Sequence, residues 1–344
     1  MALPPGVVRT VLPLLLGGAL LIPMGAFGVE AVAASTQIQP ASAPVSTAIP
    51  APPPSDEINA IDVPRDYLAE KFIDLIGGID GFFGNDRNYQ EANDSVVQMT
   101  LGRVMGYGGE HRFVLSGRAN VHLPRAEKSL HLLLETDPDK NAANGSSQNQ
   151  PALPVATTPP ASYGAGVRYE KSEEQRWHFS TDGGLKFQGI NTAPFARSRL
   201  SYAVPLEQWR MKAAETVFWF NNIGAGETTQ LDFERPFSDP MLFRATSNVT
   251  WLDKQQSFNL SQDFSVFQTL DERTKMQYQL GAVGSSRPIT EVNDYYLSVL
   301  YRHRLHREWM YFDLSPQLHF PRARNFKSSG VLNMRLEILF DKSK

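Results

Sequence analysis

The sequence predicts an all-β protein, an antiparallel transmembrane β-barrel of about fourteen strands within a range of roughly 12 to 16. Three observations predict it. Segments of roughly ten residues that alternate apolar and polar side chains recur from residue 95 to residue 340. Beyond the N-terminal 33 residues, no run is long and apolar enough to form a membrane-crossing helix. The connections fall into two alternating sets, one short throughout and the other containing a single long, low-complexity loop.

Taken in order, residues 1–33 read as a signal peptide. Arg9 supplies a weak positive region, Val11 to Ile22 an apolar stretch, and Ala31-Val32-Ala33 a small-residue cleavage site. Pro13, Gly17, Gly18 and Pro23 argue against an uncleaved helix. Residues 34–63 are rich in Ala, Pro, Ser and Thr, including Ala51-Pro52-Pro53-Pro54, and read as a disordered linker.

Residues 64–84 read as an amphipathic helix and a lead-in. Pro64 suits the first turn, Leu68, Phe72, Leu75, Ile76 and Ile79 share one face, and Gly77 and Gly78 weaken or end the helix. Such a helix could pack on the barrel's periplasmic end or enter the lumen as a plug. The first is expected, because a polar lumen would offer the apolar face no partner.

The predicted strands, all within a 95–340 barrel domain, are 95–106, 111–123, 129–136, 162–171, 176–188, 195–204, 209–221, 227–235, 241–252, 257–269, 274–284, 292–304, 309–320 and 329–340. A period of two divides each into unlike faces. In the closing strand Leu332, Met334, Leu336, Ile338 and Phe340 oppose Asn333, Arg335 and Glu337. In 176–188, Trp177, Phe179, Leu185 and Phe187 oppose His178, Ser180, Asp182, Lys186 and Gln188. One face suits lipid and the other water. Tyr163, Tyr169, Trp177, Phe187, Phe195, Trp209, Trp251, Trp309 and Phe320 fall near strand ends, where interfacial girdles lie. If both termini are periplasmic, the periplasmic connections are the short ones near 124–128, 172–175, 205–208, 236–240, 271–273 and 306–308. The long loop 137–161 is then external.

The signal segment, the strand repetition over 95–340 and the near-terminal Phe340 together resemble Gram-negative outer-membrane β-barrel proteins. The resemblance implies residence in the bacterial outer membrane, contact with its lipids, and a barrel-assembly machinery as partner during biogenesis. It implies no particular cargo. A soluble periplasmic or secreted binding barrel is the alternative architecture, since its strands also alternate.

The 344 residues carry a formal net charge of -3 and no cysteine. Disulfide scaffolds and thiolate metal sites are therefore excluded, and nothing points to nucleic acid. Candidate lumen-lining residues are Arg112, Arg118, Arg168, Arg197, Arg199, Asp232, Glu234, Arg244, Asp313, Arg335 and Glu337, with Glu135, Asp182 and Arg302 on the same predicted faces. Interleaved, these charges would clog the lumen; segregated, they would leave a selective aqueous path. Two basic couples, Arg197 with Arg199 and Arg302 with Arg304, each point one way and could favour anions.

His122, His131, His178 and His319 lie in strands, but the chain has no Gly-x-Ser-x-Gly nucleophile motif, no His-x-x-x-His pair and no calcium loop. No catalytic residue, metal or cofactor is assigned, and a lipid-modifying hydrolase remains the enzymatic alternative. The expected function is that of a monomeric, porin-like channel for small polar or anionic solutes, or of a structural outer-membrane component.

Overall fold

The computed structural model describes residues 74–83, 95–106, 111–122, 129–143, 162–173, 177–206, 208–238, 240–305 and 309–341. The expected signal peptide and linker, residues 64–73 of the expected helix and loop residues 144–161 lie outside the described residues.

Fourteen antiparallel strands form one closed barrel. They are β1 (Val96–Gly106), β2 (His111–His122), β3 (Leu130–Thr136), β4 (Tyr163–Glu173), β5 (Trp177–Gln188), β6 (Asn191–Leu206) and β7 (Trp209–Phe220), then β8 (Gly224–Ser238), β9 (Met241–Leu252), β10 (Ser257–Asp271), β11 (Thr274–Ser285), β12 (Glu291–Arg304), β13 (Met310–Pro321) and β14 (Ser329–Asp341). Each strand pairs with its sequence neighbours, and β1 closes on β14 from Val96↔Asp341 to Gly106↔Val331. Closure satisfies every strand edge, which an environment without water requires. The even strand number brings β1's start and β14's finish to the same, near end of the barrel.

The predicted spans match these strands to within a few residues. The largest departure is β6, which starts at Asn191 rather than 195. Gly189, with φ of 61°, closes a tight turn with Ile190, so the strand resumes at once.

Side-chain exposure follows the period of two. Leu101, Phe113, Leu115, Val167, Leu185, Leu200, Val217, Leu280, Leu297 and Leu318 are exposed on the outside. Aromatics cluster toward both rims: Tyr163, Phe187, Trp219, Phe258 and Tyr295 at the far end, and Tyr202, Phe233, Phe237, Trp309 and Phe340 at the near end. Phe195 is a correction to the expected girdle. It points inward and is buried with Phe218, Phe220, Leu252 and Ala142, because β6's inward parity is set by Arg197 and Arg199 two and four positions on.

β4 and β5 approach each other unusually closely. A Cβ on Gly166 would stand 2.6 Å from the Gly183 carbonyl oxygen, and one on Gly184 would collide with the Ala165 carbonyl. We therefore expect Gly184→Val to part the two strands. The readout is loss of the compact, heat-modifiable band on unboiled gels, with Gly183→Ala, where a Cβ meets nothing within 4 Å, as the tolerated control.

The two α-helices among the described residues both turn inward. α1, described over residues 74–83, continues through Gly77 and Gly78 and fixes two expectations that need correcting. Ile76, Ile79, Phe82 and Phe83 are buried against Leu242, Phe267, Leu300 and Tyr311, which project inward from β9, β10, β12 and β13. The helix thus lies inside the near end of the barrel rather than upon it, and the lumen does supply an apolar partner. Burying four large side chains at about 1.5–3 kcal/mol each outweighs two glycines at roughly 1 kcal/mol each, so the helix does not stop there. α2 (Pro138–Ala143) begins the long loop and folds into the far end, where Ala142 joins the Phe195 cluster.

Candidate functional site

The polar interior is organised by register. In antiparallel pairing, directly opposed residues share a face, so Arg168↔Asp182 and Asp182↔Arg197 place three charges in a row across β4, β5 and β6. Arg168 grips Asp182 with two hydrogen bonds, Nε to Oδ1 at 2.6 Å and Nη2 to Oδ2 at 2.9 Å. Arg197 Nε reaches Asp182 Oδ2 at 2.7 Å, and its Nη2 donates to Glu135 Oε1 on β3 at 3.0 Å. Glu170 completes the group, accepting from Arg168 at 3.4 Å and from Asn120 at 3.3 Å, with His131 at 3.8 Å.

A second cluster spans β12 to β14. Arg302, with no exposed surface, donates from Nη1 to Asp313 at 3.0 Å and from Nη2 to Glu337 at 2.5 Å, and lies 4.3 Å over the Tyr311 ring. Arg335 joins it through Nε to Asp313 Oδ2 at 2.7 Å. A third cluster ties α1 to the wall. Arg244 on β9 donates to Glu234 on β8 and to Asp80 on α1, both at 2.7 Å. Lys275 on β11 donates to the Gly78 carbonyl at 2.5 Å and sits 4.8 Å over the Phe82 ring.

α2 is latched in the same manner. Asp139 accepts from Lys186 at 2.5 Å and from Asn222 at 3.1 Å, and Thr228 donates to the Ala142 carbonyl at 3.2 Å. Burial alone would raise the Asp139 carboxyl, but the Lys186 and Asn222 hydrogen bonds hold it below the usual aspartate range.

These contacts place the predicted lumen residues. Arg168 and Arg197 meet around Asp182; Asp313, Arg335 and Glu337 meet around Arg302; Glu234 and Arg244 meet at α1. Arg199 donates to Thr216 at 3.1 Å, and Asp232 accepts from Thr246 at 2.6 Å and Gln230 at 2.9 Å. In both basic couples the guanidinium groups turn to partners within the chain. Arg197 and Arg302 are each spent on two carboxylates, Arg199 on a hydroxyl, and Arg304 on the Glu272 carbonyl.

What remains is a cavity of about 340 Å³ along β1, β2 and β11 to β14. Arg112, Arg118 and Arg335 line it together with Lys140 of α2, against the carboxylates of Asp137 and Asp313. Gln98, Gln277, Gln279, Gln317, Asn141 and Asn333 supply carboxamides. Asn333 and Gln317 sit on polar faces already evident in the sequence; Gln98, Gln277 and Gln279 were not singled out, although strand alternation alone places them inward. Lys140 and Asn141 had no such signal, since only the fold of α2 brings them in.

Of the strand histidines, His319 has both ring nitrogens engaged, Nδ1 with Asp294 at 2.6 Å and Nε2 with Gln317 at 3.2 Å. That leaves it no nitrogen with which to activate a serine. His131 and His178 are buried.

No family model matches this chain, and no curated protein matches it in sequence. Among solved structures it is similar to a bacterial polysaccharide outer membrane secretin, at TM-score 0.44 and 8% identity over 72% of this chain and 98% of that one. It is also similar to the outer membrane channel DcaP of Acinetobacter baumannii, at TM-score 0.40 and 10% identity over 72% and 96%. A FadL homologue from Pseudomonas aeruginosa matches at TM-score 0.45 and 9% identity over 72% and 90%. The membrane placement follows from the wall itself. A closed barrel with an apolar exterior, aromatic rims and a polar interior is built for lipid outside and water within, and barrels of this construction reside in the bacterial outer membrane.

Proposed function

We propose that this chain is an outer-membrane channel for small polar, anionic solutes whose periplasmic mouth is occupied by α1. The observation that carries this reading is the cavity beside the sealed ion-pair walls. Inward-facing Arg112, Arg118, Lys140 and Arg335 outnumber its two carboxylates, Asp137 and Asp313, which pair with Lys140 and with Arg302 and Arg335 respectively. Its volume, about 340 Å³, suits a small solute, and the carboxamides can exchange hydrogen bonds with a solute shedding water. The signal peptide delivers the chain to the periplasm, the barrel-assembly machinery inserts it, and outer-membrane lipids contact the apolar band.

Liposome swelling tests the solute class. In the channel lacking residues 64–83, a small dicarboxylate is expected to enter faster than a neutral sugar of equal size. Arg118→Glu is expected to slow the dicarboxylate roughly tenfold, the equivalent of about 1.4 kcal/mol, and to leave the neutral sugar unchanged. Equal slowing of both would mean a blocked pore and no charge selection. Fatty-acid release from lipid by the same preparation would favour the hydrolase instead.

A further inference from the structure

The outer wall has two unlike halves. From β11 through β14 to β4, the lipid-facing positions at mid-wall are apolar cross-strand pairs, Leu280↔Leu297, Leu336↔Leu101 and Leu132↔Val167. From β5 to β10 the same depth carries polar pairs: Thr181↔Ser198, Glu215↔Thr229 and Ser247↔Gln262. Their outward direction is fixed by parity, since the flanking residues Asp182, Arg197, Thr216, Thr228, Asn248 and Asp263 are buried inside.

These residues lie between the aromatic rims, away from the headgroups. On β7 Glu215 falls between Trp209 and Trp219, about 20 and 13 Å of strand from each. Ser247 likewise falls between Phe243 and Trp251, and Thr181 between Trp177 and Phe187. The belt is partly satisfied within the chain: Thr181 and Ser198 hydroxyls meet at 2.9 Å, Thr229 donates to Glu215 Oε2 at 2.8 Å, and Ser247 donates to Gln262 at 2.5 Å. Glu215 also meets the carboxyl of Glu227, which is exposed on the same outer face of β8. Acyl chains offer no hydrogen bonds, so two carboxyls, a carboxamide and four hydroxyls at this depth mark a protein-facing surface.

We propose that β6 to β9, the middle of this polar half, form a homodimer contact, with two copies related by a two-fold axis along the membrane normal that passes beside β7 and β8. A belt at one depth finds a matching belt only on a partner held at the same depth and orientation, which a second copy is by construction. The order of the belt is self-complementary about its centre. Reversed across the axis, Glu215 faces the Thr229 side of the partner and Ser198 the Ser247 side, while Thr181 and Gln262 flank the seam where the two walls curve apart. The contact replaces the monomer expected from sequence, and the uniformly apolar half of the wall is left to lipid.

The chain has no cysteine, so one introduced thiol reports proximity to itself. In native membranes, oxidation should convert most of Thr229→Cys into a species of twice the chain mass, and only a trace of Leu336→Cys on the opposite side. In mild detergent the unmodified full-length protein should run as a dimer and Glu215→Leu with Thr229→Leu as a monomer, both still showing heat-modifiable migration. A monomeric or trimeric full-length protein, equal cross-linking from Leu336→Cys, or Thr229→Cys joined to a protein of different mass would each overturn the proposal.

Discussion

Excision of residues 64–83 should raise the single-channel conductance several-fold and turn rare, brief openings into a steadily open state. An eight-stranded barrel is filled by its own side chains, whereas barrels of 16 to 18 strands enclose water, so fourteen strands lie between. In that range an inserted helix about 10–12 Å across decides whether the mouth is open. Undocking α1 exposes Ile76, Ile79, Phe82 and Phe83 and breaks Asp80 from Arg244, a cost on the order of 5–10 kcal/mol. Thermal opening of the intact chain is accordingly infrequent. Phe83→Ala, which removes the edge-on contact with Phe267 at 5.3 Å, should weaken the dock by about 3–5 kcal/mol and raise the frequency of openings. Planar-bilayer recordings of the three proteins check both statements.

The second large effect concerns stability. Arg302→Met should destabilise the barrel by about 3–5 kcal/mol, because Asp313 and Glu337 would remain buried with Arg335 as the nearest remaining cation. The temperature at which the folded band disappears on gels measures it. Replacing the group together, Arg302→Met with Asp313→Leu and Glu337→Leu, should recover most of the loss, since removing all of the buried charges avoids leaving any one uncompensated. If the triple variant is no better than Arg302→Met, the cost lies in packing against Tyr311 and not in orphaned carboxylates.

The strands were legible because a membrane wall imposes its period on every segment. Leu332 to Phe340 alone shows the two faces, and the repeat upstream counts the strands. The position of α1 was hidden for a specific reason. Its apolar partners, Leu242, Phe267, Leu300 and Tyr311, each stand alone at the near end of a strand whose inner face is mainly polar. No one segment therefore reads as an apolar socket, and only closure of the barrel assembles it. Phe195 was misplaced for the related reason that an aromatic near a strand end looks alike on either face. The charge partners required register: Arg197 and Arg199 look like one basic couple in sequence, yet Asp182 and Glu135 claim the first and Thr216 the second. The cavity's own composition, cations and carboxamides together, emerges only once those pairings and the fold of α2 are in place.

The central claim is that the remaining lumen selects small anions. The most direct measurement is the reversal potential of the channel lacking residues 64–83 under a potassium chloride gradient. An anion-selective reversal that weakens in Arg118→Glu is the predicted result. A cation-selective reversal, or no conductance steps from correctly folded protein, would contradict it.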